Sequence, residues 1–337
     1  MTLTDRINAF SLLGLKISSL TEEEKETLHN GAARNNPWFT KDSVNLALQG
    51  ISLFLKQENL HQWIAPYHIG QTGGKKIGIA MAGNIPLVGF HDLLSVLISG
   101  HIAVAKLSSQ DSYLLPKLTE WLIEINPAFK ERILFVDLLK NTDAIIATGS
   151  DNTARYFEYY FRNIPHIIRK NRSSCAIIMG EESQSELTAL GPDVFSYFGL
   201  GCRNVSKIFI PEDFDITSLF EAWDSYKDII HHHRYANNYD YQKSIMLVNK
   251  VPFLDNGFLL ITENQNLVSP ISVLHYETYH DQEEMHAKIE IQKEKIQCIV
   301  SANGWFNNSV SFGKAQMPEL WDYADGIDTL KFLISVK

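Results

Sequence analysis

Cysteine is scarce: three residues, Cys175, Cys202 and Cys298, at wide spacings in a chain of 337. An odd, sparse set is not a disulfide framework, so a packed core has to hold the fold, and a cytoplasmic setting is expected. Basic charge is not in surplus. Against 39 Asp and Glu stand 30 Lys and Arg, a formal net charge of −9 with the 12 histidines neutral. That excludes the electrostatics of a nucleic-acid backbone binder, and no nucleic-acid partner is expected. Basic stretches such as Arg169-Lys170-Asn171-Arg172 read as local phosphate contacts or solvated surface. No apolar run approaches the ~18 residues a spanning helix needs, so no membrane span is expected. The opening MTLTDRINAFSLLGLKISSL lacks the basic-then-apolar layout of a signal peptide. There is no internal repeat, no low-complexity tract and no HExxH spacing. The one histidine run, HHHR at residues 231–234, reads as a solvated or loop cluster. Consecutive histidines cannot all face one ion from regular structure, and no metal site is expected.

What is present fits a soluble globular protein, with 45% hydrophobic and 20% charged residues. The length suggests two domains of roughly 150 residues each. Residues 1–65 read as helical, with Thr21 and Glu24 spaced as a capping box and Thr40 opening a long apolar-periodic segment through Ile64. From Lys75 the texture changes to alternation. KKIGIAMAGN, HIAVAKLSS, RILFVD and DAIIATGS are strands. PLVGFHDLLSVLISG, SYLLPKLTEWLIEI and NTARYFEYYF are helices. Strands apolar throughout, alternating with helices, predict a parallel sheet covered on both faces. A second α/β layer begins near Ser173, with strands CAIIMG, KIFIP, SIMLVN, GFLLIT, ISVLHYE and IQCIVSA. Its helices are SQSELTALGPDVFSYFGL and DQEEMHAKIEIQKEK. The apolar tail is expected to close a sheet edge or to form a homo-oligomer contact.

Ligands in parallel α/β sheets sit at the carboxyl ends of the strands. Here those ends carry Gly83-Asn84, then Lys106-Leu107-Ser108-Ser109, then Thr148-Gly149-Ser150, small or polar as a nucleotide site requires. Thr148-Gly149-Ser150 before a helix is a phosphate-friendly helix N-terminus, although no GxGxxG accompanies it. Asn84 has two readings, a helix cap or an amide donor for a developing oxyanion. Cys175 and Cys298 lie inside strand-like apolar runs and read as core. Cys202 sits at a junction between Gly201 and Arg203, after a helix and before a strand. It is either a buried structural thiol or a nucleophile whose backbone N–H meets an oxyanion, with Arg203 favouring the thiolate.

The order of these pieces, Gly83-Asn84-Ile85-Pro86, Lys106-Leu107-Ser108, Thr148-Gly149-Ser150 and Gly201-Cys202, resembles the aldehyde dehydrogenase superfamily. Within it the match is to the LuxC-like acyl-CoA reductases, through NIPLVGFHDLLSVLISGH, DVFSYFGLGCRN and LWDYADGIDTLKFL, and it covers residues 60–337. The resemblance implies an aldehyde-dehydrogenase-like fold, two α/β domains with a parallel-sheet cofactor domain and a cleft holding the catalytic cysteine. The expected divisions are a helical segment 1–65, a nucleotide-binding domain 66–172, a catalytic domain 173–305 and a closing or oligomer segment 306–337. It makes Cys202 the nucleophile and Asn84 the oxyanion donor. It assigns Lys106 and Ser108 to the adenosine ribose, and Thr148, Gly149 and Ser150 to the nicotinamide and pyrophosphate. Phe312-Gly313 looks like the superfamily's late Phe-Gly pair and is assigned no role.

Three departures shape the expectation. Where ordinary members carry Glu-Leu-Gly-Gly-Lys, whose glutamate activates the deacylating water, this chain reads Arg169-Lys170-Asn171-Arg172-Ser173. Loss of that base favours thioester chemistry over oxidation to a free acid. Ser109 stands where NAD-preferring relatives have a glutamate, which favours NADPH, with NADH the alternative. The Glu-x-Phe-Gly-Pro motif is reduced to Asn266-Leu267-Val268-Ser269-Pro270, with Glu263 a substitute. The expected activity is reduction of an acyl thioester, from acyl-CoA or an acyl carrier, to an aldehyde. The alternatives are a CoA-acylating aldehyde dehydrogenase working oxidatively and a non-catalytic nucleotide-binding relative. Tyr197, Phe198, Trp305 and Phe306 read as core or as lining of an acyl channel.

Overall fold

Helix caps and apolar spacing agree at the N-terminus. α1 (Leu3–Ser18) opens on a capping box of Thr2 with Asp5, and α2 (Glu22–Asn35) on one of Thr21 with Glu24. α3 (Lys41–Phe54) starts where the Thr40 hydroxyl accepts the Ser43 N–H, and α4 (Gln57–Ile64) follows after a break at Leu55 and Lys56. The apolar stripes of these helices, including Phe10, Leu13, Val44, Leu48 and Trp63, are buried in one core. The structure, a computed structural model, describes residues 1–70 and 74–336. It divides into two compact units, Met1–Asn171 with the segment from Glu319 onward, and Arg172–Pro318.

The first unit continues with β1 (Lys76–Ala80), α5 (Phe90–Ile98), β2 (Ile102–Lys106), α6 (Leu114–Ile125), β3 (Ile133–Phe135), β4 (Ala144–Thr148), α7 (Asp151–Phe161) and β5 (His166–Arg169). The five strands lie in the order β3-β2-β1-β4-β5, and every pairing is parallel. Alternation along β1 covers both faces. Ile77 and Ile79 enter the core shared with the N-terminal helices, while Ala80 joins Val104, Ile145 and Ala147 on the other side. Ala80 is level with Lys106 on one side and Ala147 on the other, so the residues that leave β1, β2 and β4 emerge at one edge. The strand order reverses between β1 and β4, the switch point at which such sheets bind ligands. β5 is a strand that the sequence reading did not include.

The second unit holds β6 (Ser173–Ile177), α8 (Gln184–Phe195), β7 (Val205–Pro211), α9 (Ser218–Ala222), α10 (His233–Asn249), β8 (Leu254–Asp255), β9 (Leu260–Glu263), β10 (Val273–Tyr279), α11 (Gln282–Gln292), β11 (Ile296–Ser301) and β12 (Val310–Ser311). Its seven strands run β12-β11-β6-β7-β10-β9-β8, with only β8 antiparallel to its neighbour β9. One face packs on Leu190, Phe195 and Trp223, the other on Met285 and Ile289 of α11. Ser244–Asn249, expected as a strand, is instead the last part of α10. Its apolar residues do not form a strand face: Met246 is buried, while Leu247 and Val248 are exposed.

The tail forms α12 (Thr329–Ser335) and belongs to the first unit, where Leu320, Leu330 and Leu333 are buried in the core of the N-terminal helices. The segment 306–337 thus supplies both the edge strand β12 of the second sheet and a helix packed into the first core. His91 bonds the Leu320 carbonyl (2.9 Å) and His101 the Leu333 carbonyl (3.0 Å), so the two stretches NIPLVGFHDLLSVLISGH and LWDYADGIDTLKFL meet. Among the described residues no helix is long and apolar enough to cross a membrane.

Candidate active site

In the second unit, α8 ends at Phe195 and the backbone then turns left-handed at three successive residues. Tyr197, Phe198 and Gly199 have φ of 52°, 57° and 77°. Glycine accepts this conformation, but each aromatic residue pays about 1–2 kcal/mol for it. The turn is held from behind by Asn204. Its Nδ2 donates to the carbonyls of Ser196 (2.8 Å) and Asp193 (3.1 Å), and its Oδ1 accepts the Gly201 N–H (2.8 Å). Cys202 follows, half-buried, its carbonyl accepting the Ser174 hydroxyl at 3.0 Å. Cys175 and Cys298 are buried in the sheet, and burial pushes the Cys175 thiol up to about 12. Both are core, as the sequence suggests.

Arg203 also reaches beyond its sequence neighbour. Its guanidinium turns to the Ala315 carbonyl through Nε and to the Cys298 sulfur through Nη2 (3.6 Å). The same region explains the Phe312-Gly313 pair. Asp193, fully buried on α8, accepts the N–H groups of Gly313 (2.6 Å) and Ala315 (2.9 Å). Burial pushes the Asp193 carboxyl up to about 6, against the pull of those two donors and of Arg203. Gly313 has φ 79°, and a Cβ there would lie 2.8 Å from the Ala189 carbonyl oxygen, so the pair is a docking point for the segment after β12. Trp305 and Phe306 pack into the α11 core and Tyr197 is buried, where desolvation raises its phenol.

The segment that stands in place of Glu-x-Phe-Gly-Pro is rigidly held by its neighbours. Three successive carbonyls, of Gln265, Asn266 and Leu267, are bonded by Lys207 Nζ (2.8 Å), His275 Nδ1 (2.9 Å) and Ser206 Oγ (2.7 Å). Lys207 is fully buried in the central strand and also paired with Glu277. Nothing in the sequence marked this lysine, because a charged residue in a strand run gives no sign of which carbonyl it reaches. Glu263 is exposed at the end of β9.

In the first unit, the strand-end residues occupy one edge of the sheet. The loop after β1 carries Asn84, half-buried, and touches the loop after β2. A Cβ on Gly83 would fall 2.6 Å from the Ser108 side chain, so only glycine allows this approach. Leu87, left-handed at φ 59°, donates its N–H to Asp111 Oδ2 at 2.7 Å, which ties the Asn84 loop to the Ser108 loop. Lys106 and Ser109 are exposed. Thr148 ends β4, Gly149 bonds the Arg169 carbonyl (3.2 Å), and Ser150 caps α7 by accepting the Thr153 N–H. These residues fit a dinucleotide. Gly149 has no side chain at the switch point, the α7 N-terminus faces that edge, and a lysine stands at the end of β2. Among the described residues no group of three His, Cys, Asp or Glu is placed to hold a metal ion.

Arg169, at the position counted to the family's water-activating glutamate, is buried at the end of β5. Nη1 lies 2.8 and 2.6 Å from the two Asp92 oxygens and Nη2 bonds Thr329 Oγ1 at 2.8 Å.

The class defined by this architecture is the aldehyde dehydrogenase fold. The indole-3-acetaldehyde dehydrogenase of P. syringae, solved as a cysteine-to-alanine mutant with NAD+ and IAA, superposes with a TM-score of 0.69 at 12% identity, over 94% of this chain and 75% of that one. An aldehyde dehydrogenase of Mycobacterium tuberculosis complexed with NAD+ gives 0.64 at 14% identity, over 89% and 73%. An E. coli NADP dependent enzyme gives 0.65 at 12%, over 89% and 73%. No protein-family model and no curated protein sequence matches the chain.

Proposed function

We propose that this protein reduces an acyl thioester, carried on CoA or on an acyl-carrier protein, to an aldehyde with NADPH through an acyl-Cys202 intermediate. One observation carries the reading. In a chain with the aldehyde dehydrogenase fold, a half-buried cysteine follows a left-handed turn held by Asn204, and an arginine locked in an ion pair stands where a water-activating carboxylate is expected.

The Cys202 thiolate attacks the acyl carbonyl carbon and forms a C–S bond, and the π electrons move to oxygen. The family resemblance assigns the donors for that oxyanion to Asn84 Nδ2 and the Cys202 N–H. Its collapse expels the donor thiolate and leaves the acyl group on Cys202. Arg169 offers no base to water at this stage, because it is cationic and engaged by Asp92. NADPH, when bound, supplies the hydride that takes the acyl carbon to the aldehyde oxidation level. Cys202 then departs as thiolate. Lys106 and Ser108 would hold the adenosine ribose, and Thr148, Gly149 and Ser150 the pyrophosphate and nicotinamide side. Ser109 places no carboxylate against a 2′-phosphate, and Lys106 attracts one.

Intact-mass spectrometry after mixing with a medium-chain acyl-CoA tests this, with and without NADPH, beside Cys202→Ala. The expected result is a mass gain equal to the acyl group, absent in the variant and discharged as aldehyde by NADPH. An adduct that NADPH leaves in place would overturn the reductase reading in favour of acyl transfer. Absence of an adduct from both acyl-CoA and acyl-carrier donors would overturn the covalent mechanism.

A further inference from the structure

We propose that Asn204 is the positioning residue of the nucleophile, a role that rests on the reading of Cys202 given above. The residue is 1% exposed, so no water competes for its hydrogen bonds. Its side chain and N–H bond five backbone groups. Nδ2 donates to the carbonyls of Ser196, Asp193 and, at 3.4 Å, Val194, at the end of α8 and just beyond it; Oδ1 accepts the Gly201 N–H; and its own N–H donates to the Gly201 carbonyl at 3.0 Å. Only a primary amide supplies two donors and an acceptor in one plane of this size.

The geometry acts on Cys202 through the peptide planes on either side of it. Gly201 gives both its N–H and its carbonyl to Asn204. A trans peptide sets the next N–H opposite that carbonyl, so the Cys202 N–H is directed away from Asn204. The following plane is fixed by the Ser174 hydroxyl on the Cys202 carbonyl. Upstream, the same side chain closes the left-handed Tyr197-Phe198-Gly199 turn, which would relax to ordinary backbone without it. The thiol and the N–H at residue 202 are therefore aimed by a side chain that touches neither.

The test is single-turnover acyl-Cys202 formation in Asn204→Ala and Asn204→Asp, with steady-state kcat and KM alongside. Asp keeps an acceptor for Gly201 and loses the donors to Ser196 and Asp193. The expected result is an acylation rate and kcat lowered on the order of 100-fold in both variants, with KM for acyl-CoA within about threefold of wild type. NADPH binding and near-UV circular dichroism stay as in wild type. A folded variant that acylates at the wild-type rate would overturn the proposal, as would a loss confined to KM. Should neither variant fold, hydrogen exchange of the wild-type chain decides. The Gly201 amide is expected to exchange as slowly as β7, and exchange at the rate of an exposed loop would overturn the assignment. An acyl adduct on Cys202→Ala would instead overturn the underlying reading of the site, whatever the Asn204 variants do.

Discussion

Asp92 and Arg169 form a buried, doubly bonded ion pair that joins α5 to the end of β5, and Thr329 takes the second guanidinium nitrogen. Removal of one partner strands the other charge in the core. Arg169→Met and Asp92→Leu are each expected to lose about 3–5 kcal/mol of unfolding free energy, and the double variant much less than the sum. Urea denaturation of the three variants measures it, and additive losses would mean that the two charges are not coupled.

Asp111 and Asp193 both have carboxyls raised by burial to about 6. Between the ordinary carboxyl value and 6 the folded chain binds protons that the unfolded chain releases. Their contribution to stability is therefore full in acid and lost as pH rises through 6. Asp111→Asn and Asp193→Asn should each flatten the pH dependence between pH 4 and 7 by on the order of 1–3 kcal/mol relative to wild type. Chemical denaturation at a series of pH values reads the difference, and curves parallel to wild type would refute it.

Iodoacetamide is expected to modify Cys202 well before Cys175 or Cys298. The latter two are buried, and the Cys175 thiol is held protonated by desolvation. Peptide mapping after brief labelling checks the order. Equal labelling of the three would show that the turn does not single out Cys202.

Asn84→Ala should lower kcat on the order of 10²–10³ while the labelling rate of Cys202 stays within about twofold, since a lost oxyanion donor does not alter the thiol itself. Stopped-flow turnover and alkylation kinetics on the same sample separate the two effects. A parallel fall in both would place Asn84 in the fold rather than in the chemistry.

Ser109→Glu introduces a carboxylate beside the exposed end of β2 and should weaken NADPH about tenfold while sparing NADH, a change of ~1.4 kcal/mol. Fluorescence titration with each cofactor reads the ratio. An unchanged ratio would remove Ser109 from the cofactor site.

The alternation of the first sheet is legible because strands covered on both faces are apolar throughout, and KKIGIA, HIAVAK and DAIIAT have no other reading. β5 escapes notice because His166 and Arg169 bracket only two apolar residues. SIMLVN misleads for the opposite reason: an apolar, β-branched run is too short to reveal that it continues a helix begun at His233. At the turn before β7, the junction around Cys202 stands out by composition, whereas Asn204 does not. A polar residue after an arginine looks like surface, and only the carbonyls it reaches show otherwise. The contacts of Arg203 with the Ala315 carbonyl and the Cys298 sulfur are equally silent in the sequence, because both lie about 100 residues further along the chain.

The return of α12 to the first unit sets an order of assembly. All of Arg172–Pro318 is synthesised before Leu320, Leu330 and Leu333 emerge to complete the core begun by α1. A nascent chain thus carries an unfinished first unit, with His91, His101 and Arg169 short of their last partners, while the inserted unit already has every strand of its own sheet. The unit that starts first finishes last, and it is the one exposed to chaperones and proteases for the longest time.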